Sequence, residues 1–517
     1  MSKIQILTIV VALLAVSIVC ARLAFPLPSL TTRPTGDAAR PAPTGILAEK
    51  TRELANEHPG LSGIYLLRQA DAAFAARMAL ARKATDTIDA QYYIWHRDLT
   101  GLLLLDELKA AANRGVMVRL LLDDNGVTGL DEILSELHTH PNVQVRLYNP
   151  FTVRRFKHLG YGFDFFRLNH RMHNKSFTVD GRATIGGGRN IGDEYFGTAE
   201  GPNFVDLDIL LIGASVEEVT DDFADYWNSA SAYPIDLLVD ASGDRSSALE
   251  NAVEAMIADP RFERYRAEIE QNDTVRNLLS GGPELDWAET HMVSDPPTKT
   301  RRRLDERELL VGQLTQLTGV IENRLDIVSP YFVPGDRGTE YFIELARRGV
   351  GVRILTNAQE ATDVIPVHAG YAKYRYRLLE GGVQLFELKA GKIPKTSRSD
   401  IGPFGSSGAS LHAKTFAVDG TRFYVGSFNF DPRSVMLNTE MGFIVNSTRT
   451  TQGIHDWFDT AILDDAYALS LDDNGDIEWR ERRSDGIEII HRHDPHTTRA
   501  SRAAVKGIGW LPIQWLL

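Results

Sequence analysis

The sequence predicts an α/β protein of two similar lobes, each a mixed β-sheet flanked by helices, related by pseudo-two-fold symmetry with the active site between them. Three observations carry this. One short pattern occurs twice, as His173-Asn-Lys175-Ser-Phe-Thr-Val-Asp180-Gly181 and as His412-Ala-Lys414-Thr-Phe-Ala-Val-Asp419-Gly420, with tails Gly187-Gly188-Arg189-Asn190 and Gly426-Ser427-Phe428-Asn429. A strand–helix–strand order precedes each copy at nearly the same offset. At 517 residues the chain is also too long for one ordinary domain, and its 43% hydrophobic content can fill two cores.

The chain opens on Lys3 and an apolar run over 4–21, broken only by Gln5, Thr8 and Ser17. Its 18 residues are close to the roughly 20 that cross a bilayer. They exceed the about 7–15 residues of a cleaved signal's apolar core. A membrane anchor is therefore expected over 1–25, ahead of a signal segment cleaved near Val19-Cys20-Ala21; Val19 before the cysteine disfavours acylation of the lipoprotein type. Either reading sends the remainder across the membrane. Over 26–44, Pro26, Pro28, Pro34, Pro41 and Pro43 make an extended tether.

Lobe 1 is expected over 45–290. Residues 87–94 are β-rich, and 102–113 carry Leu, Ala and charges at helical spacing. Arg114-Gly115 ends that helix and leads into an alternating strand over 116–122. Lobe 2, over 291–517, repeats the order with a strand at 325–328, a helix at 341–347, Arg348-Gly349, and a strand at 350–355. A third strand, 143–147, matches 383–386. Residues 215–300 are helix-rich and charged, with a turn at Pro296-Pro297. The run Arg301-Arg302-Arg303 reads as a solvated face rather than a phosphate contact. A helix is expected over 457–471. The turn Asp472-Asp473-Asn474-Gly475-Asp476 resembles the start of a calcium loop, but Ile477 stands where such a loop needs glycine, so no metal site is expected. The apolar end, with Trp510 and Trp515, suits docking on a lobe or a membrane interface.

A net charge of −13 argues against a protein whose main task is gripping nucleic acid. Cys20 is the sole cysteine, which excludes an intramolecular disulfide, a Cys-rich zinc site and a redox pair.

The repeated motif suits phosphodiester chemistry. Alternation puts His and Lys on one strand face with a single residue between them pointing away. Two imidazoles on opposite sides of a phosphorus can divide the work, one attacking as a neutral nucleophile and one protonating the leaving alkoxide. Lys175 and Lys414 supply positive charge for the phosphoryl oxygens, and Asn190 and Asn429 neutral donors, so no cofactor or metal is required. A nucleophilic His needs its far nitrogen held, and Asp206 and Glu440 are the candidate acceptors. Asp180 and Asp419 complete the catalytic set of the motif, although their Asp-Gly ends read as positioning the turn and holding a neighbouring His or Lys more than touching substrate.

Two His-x-Lys-x4-Asp motifs resemble the signature of the phospholipase D superfamily, over about 89–440. The text from Arg171 to Asp193, with Gly426-Ser427-Phe428-Asn429-Phe430-Asp431-Pro432-Arg433-Ser434 and Asn438-Thr439-Glu440, is similar to the bacterial cardiolipin synthase branch, its C type above all. Leu511-Pro512 and Trp515-Leu516-Leu517 share in that likeness. The resemblance implies a phosphatidyltransferase that joins phosphatidylglycerol to phosphatidylethanolamine or a second phosphatidylglycerol through a phosphohistidine. By it, His173 would take the phosphatidyl group and His412 would protonate the departing headgroup. It implies phospholipid substrates and a membrane as partners, no nucleic acid, and an N-terminally anchored enzyme of the bacterial inner membrane with periplasmic lobes. The apolar segment and tether depart from the shared pattern. A hydrolase releasing phosphatidic acid is the alternative; a nuclease and a catalytically dead scaffold are weaker rivals.

Overall fold

The helix Leu99–Asn113 shows how local sequence writes the lobes. Asp98 caps it by accepting from the Gly101 amide at 3.0 Å, and it stops before Gly115, whose φ of 101° no β-carbon tolerates without strain. The chain then turns into an apolar strand. In the computed structural model, which describes residues 2–31, 33, 45–199, 203–239, 247–272, 285–391, 410–483, 485–512 and 514–516, this unit recurs in both lobes.

Strands β1 (Ser62–Leu67), β2 (Thr87–Ile94), β3 (Met117–Gly126), β4 (Val143–Tyr148), β5 (Ser176–Val179) and β6 (Ala183–Gly187) come first. They are followed by β7 (Phe204–Val205), β8 (Asp208–Gly213), β9 (Ala232–Pro234) and β10 (Asp286–Ala288). The second half supplies β11 (Thr290–Ser294), β12 (Arg324–Val328), β13 (Gly351–Asn357), β14 (Gln384–Leu388), β15 (Ser410–Leu411) and β16 (Thr415–Val418). It ends with β17 (Arg422–Gly426), β18 (Met441–Val445), β19 (Ala466–Leu471), β20 (Ile477–Arg482) and β21 (Glu488–His491). One sheet runs β10-β1-β8-β6-β5-β2-β3-β4-β9, the other β11-β18-β17-β16-β12-β13-β14-β19-β20-β21. In each, three parallel strands (β2-β3-β4, β12-β13-β14) adjoin an antiparallel trio (β5-β6-β8, β16-β17-β18). The chain passes from one sheet to the other at Glu289, between β10 and β11.

The same ion pair pins both parallel trios. Arg119 of β3 grips Asp89 of β2 through two bonds of 2.6 Å, and Arg353 of β13 grips Asp326 of β12 in the same way. Bidentate pairs of this kind fix register as well as add energy. Each lobe has its own apolar core. A third core joins them, with Ile209 and Leu211 of β8 against Val425 and Phe443 of β17 and β18. Gly186 marks the closest approach: a β-carbon there would stand 2.6 Å from the Phe443 ring.

One sequence expectation needs adjustment, and part of another lies outside the described residues. Helix was expected over 457–471, but the helices Thr448–Thr460 and Ile462–Asp465 give way to β19, whose Ala466–Ala468 stretch pairs with β14. An open sheet edge outweighed local propensity there. Of the expected tether, Pro34, Pro41 and Pro43 lie outside the described residues.

Lys3–Ala24 is one helix of 22 residues with no buried residue, long and apolar enough to cross a membrane. It ends against lobe 1, where Arg22 reaches Phe163 O and Asp164 and Phe25 stacks on Phe163. The C-terminal end docks in part. Trp515 meets Phe165 edge-on and Leu516 O accepts from Arg433, whereas Trp510 stays 80% exposed.

Candidate active site

Both His-x-Lys segments are extended entries to strands, β5 and β16, rather than strands themselves. Short cross-lobe pairings hold them. His173 N donates to Thr439 O at 2.8 Å and Thr439 N to Arg171 O at 2.9 Å; in the mirror position, His412 N donates to Val205 O at 2.7 Å, where β15 pairs with β7. Each motif is thus stitched to the other lobe, on the residues beside its partner acid.

That stitching crosses the acids over. His173 Nδ1 lies 2.7 Å from Glu440 Oε2, and His412 Nδ1 lies 2.6 Å from Asp206 Oδ2. Each imidazole is oriented by the opposite lobe. With Nδ1–H donated to a carboxylate, Nε2 is left as the reactive nitrogen of both rings. Ser427 Oγ, at 2.5 Å, donates to the same Glu440 oxygen. Lys175 Nζ donates to His173 O at 2.6 Å, and Lys414 Nζ to His412 O at 2.5 Å. Tyr93 meets His173 edge-on, its ring also facing Lys175; Tyr195 and Phe204 wall His412, and Tyr331 covers Lys414.

All four cationic groups are buried, and that sets their charge. Burial, then Lys175, Lys414 and His412, hold the His173 imidazole well below its usual pKa, so it is neutral. Burial and Lys414 also lower His412, but Asp206 pushes back. Lys175 comes down to about 7, through burial and then Lys414 against Glu440. Burial lowers Lys414 to about 8, opposed by Asp206 and Glu440. Although burial favours the neutral acid, His412 and Lys414 drive Asp206 down to about 2. Glu440 moves the other way, because burial outweighs Lys175 and Ser427. The site is therefore asymmetric: the carboxylate beside His412 is held ionised, whereas the one beside His173 is shifted toward its neutral form.

The remaining expected residues divide. Asp180 and Asp419 do not meet the histidines, which corrects their assignment as catalytic. Both sit at positive φ beyond the far ends of β5 and β16. The Asp180 carboxylate accepts from the backbone amides of Thr85, Asp86 and Thr87, and that of Asp419 from those of Glu322, Asn323 and Arg324. They tie the loop before the central strand to the motif hairpin. Asn190 is largely spent on the protein: Oδ1 accepts from Ile94 N at 3.1 Å and Nδ2 donates to the Tyr195 hydroxyl at 3.0 Å. Asn429 is 4% exposed, and its Oδ1, an acceptor, is buried without a partner among the described residues; its Nδ2 donor makes no hydrogen bond within the protein among those residues. Sequence reading missed Tyr93, Tyr331 and Asp363. The last accepts from the Tyr331 hydroxyl at 2.6 Å and supports the charge of Lys414, and nothing in its local sequence signals the role.

Among the described residues, His96, Asp98 and Glu194 have ligand-type atoms within 4.8 Å of one another. Asp98 is already spent on the amides of Gly101 and Asp193, and Glu194 lies 3.1 Å from His96 Nδ1. That trio is satisfied within the protein.

A family model described as cardiolipin synthase, PLD-like domain, matches residues 78–227 and 319–462, once per lobe. The chain is 46% identical over 472 residues, 91% of its length and 99% of the relative's, to cardiolipin synthase C of Escherichia coli (strain K12). It is 26% identical over 391 residues to a cardiolipin synthase of Listeria welshimeri, covering 75% of this chain and 67% of that one. The crystal structure of a phosphatidylserine synthase from Haemophilus influenzae Rd KW20 superposes with a TM-score of 0.52 at 15% identity, over 91% of this chain and 99% of the other, a likeness of fold.

Proposed function

Because this chain belongs to the family of phospholipase D-like cardiolipin synthases, we infer that its two-histidine site moves a phosphatidyl group from one phospholipid to the glycerol hydroxyl of another, making cardiolipin. The crossed pairs Glu440–His173 and Asp206–His412 carry the reading, since each carboxylate holds an Nδ1 and frees the Nε2 of its ring.

His173 Nε2 attacks the phosphorus of the donor lipid. The bond to the headgroup oxygen breaks as His412 Nε2 delivers its proton, releasing the headgroup alcohol and leaving a phosphohistidine. His412, now neutral, removes the proton of the acceptor hydroxyl, whose oxygen attacks phosphorus and displaces His173. Lys175 and Lys414 hold the phosphoryl oxygens, with Asn429 as a neutral donor. The donor is phosphatidylethanolamine or phosphatidylglycerol, the acceptor phosphatidylglycerol, and the lobes lie on the periplasmic side of the inner membrane.

Expression in a bacterial strain lacking cardiolipin, followed by lipid mass spectrometry, tests this. Cardiolipin should appear with the wild-type chain and vanish with His173→Ala. Phosphatidic acid in place of cardiolipin would assign the acceptor role to water.

A further inference from the structure

A cleft of about 950 Å³ lies between the lobes, with Phe166 and Tyr233 of the first facing Arg301, Arg302, Arg303 and Arg337 of the second. Leu27, just beyond the apolar N-terminal helix, forms part of its rim. The helix Tyr161–Leu168 gathers neighbouring features, for Phe163 stacks on Phe25 and Phe165 meets Trp515. The cleft therefore opens where the chain leaves its apolar helix. Val435, Met436 and Arg337 also border a second cleft of about 530 Å³, walled by Leu314, Val333, Phe342, Phe416, Phe428 and Phe430.

These two spaces differ in chemistry. Close-packed interiors leave few voids larger than a water molecule, so an aromatic-lined space of this size is apolar surface without a protein partner. It backs on Phe428-Asn429-Phe430, the tail of the second motif. The arginines of the larger cleft, of which Arg337 borders both spaces, are poorly neutralised: Arg302 is 3.7 Å from Glu308 and Arg337 is 3.4 Å from Glu306, in exposed pairs of small worth. Among the described residues no carboxylate lies within ion-pair distance of Arg303. Arg301, Arg302 and Arg303 are exposed, as expected of a solvated face, and they also line the larger cleft.

We propose that the two clefts form one binding site for an anionic phospholipid drawn from the bilayer, its phosphodiester against Arg302, Arg303 and Arg337 and an acyl chain in the slot between Leu314 and Phe342. Positive charge at the rim, an apolar interior and a mouth beside the membrane helix fit that ligand together. The site rests on the phosphatidyl transfer inferred above and holds one lipid for that reaction.

The full-length protein in mixed micelles is irradiated with phosphatidylglycerol bearing a diazirine midway along an acyl chain, and labelled peptides are read by mass spectrometry. Label is expected on residues 310–345 and 428–436, in wild type and in His173→Ala alike, because the clefts do not need the nucleophile. Reversing two surface charges, Arg302→Glu with Arg303→Glu, is expected to cut that labelling on the order of tenfold. Leu314→Trp, which fills the slot, should suppress turnover of dioleoyl lipid and spare a dibutyryl lipid too short to enter it, the spared turnover showing that the variant folds. Label confined elsewhere, undiminished label in the arginine variant, or full dioleoyl turnover by a folded Leu314→Trp overturns the proposal. A failure of the transfer reading looks different: the clefts are labelled and the wild type makes no cardiolipin.

Discussion

His173 and His412 stand in the same motif and in different surroundings, and that difference can be measured. The neutral ring beside Glu440 should be the nucleophile, and the ring beside ionised Asp206 the acid. A donor lipid with a p-nitrophenyl headgroup needs no protonation on departure. It should restore phosphoenzyme formation in His412→Ala and in Asp206→Asn, but not in His173→Ala; the opposite pattern would reverse the assignment. With ordinary lipid, losing one preorganised partner costs about 3 kcal/mol, roughly a hundredfold in kcat. The lysines and His412 fix the pH profile. Lys175 near 7 and Lys414 near 8 are charged below those values and lose charge as pH rises through them. His173, already neutral, sets no limit until well below its usual value. kcat/KM should therefore decline as pH rises, first as His412, itself lowered, gives up the proton it must deliver and then as the lysines lose charge, well short of the unperturbed lysine range near 10.4. A plateau reaching about pH 10 would contradict it.

Among the elements, the motif hairpins depend on an aspartate that does no chemistry. The Asp180 carboxylate serves three backbone amides, and charged hydrogen bonds of this type are worth about 1.5–3 kcal/mol each. Asp180→Ala should destabilise the fold by at least about 3 kcal/mol and leave turnover per folded molecule near wild type. Asp180→Asn should cost less, because asparagine also tolerates positive φ. Thermal unfolding combined with active-site titration separates the outcomes, and loss of turnover in fully folded Asp180→Asn would return the residue to the chemistry. The Asp-Gly letters point to a turn, but the three amides that the carboxylate serves lie more than ninety residues earlier in the chain and show only in the fold. Strands β2, β3, β12 and β13 were legible from alternation and Gly-terminated helices; β19 was not, since its pairing partner lies far away in the chain.

For the whole molecule, the N-terminal helix is packed on lobe 1 only at its end, so its apolar sides are free for lipid. Cys20 is the sole cysteine, and Asn474 sits in an exposed turn on lobe 2. In intact cells with a permeable outer membrane, Cys20→Ser with Asn474→Cys should react with a membrane-impermeant maleimide, as expected for lobes outside the cytoplasm. Labelling only after lysis would place them inside.

The sequence by itself determined that there are two lobes, that each brings one His-x-Lys pair, and that the chemistry concerns phosphodiesters, because duplication preserves residue type, spacing and local propensity. Which acid holds which histidine, the neutrality of His173, the amides that Asp180 clamps and the apolar slot bordered by Arg337 were decided only on folding. They depend on groups hundreds of residues apart sharing a water-poor seam, where burial and neighbouring charge outweigh anything encoded within a strand.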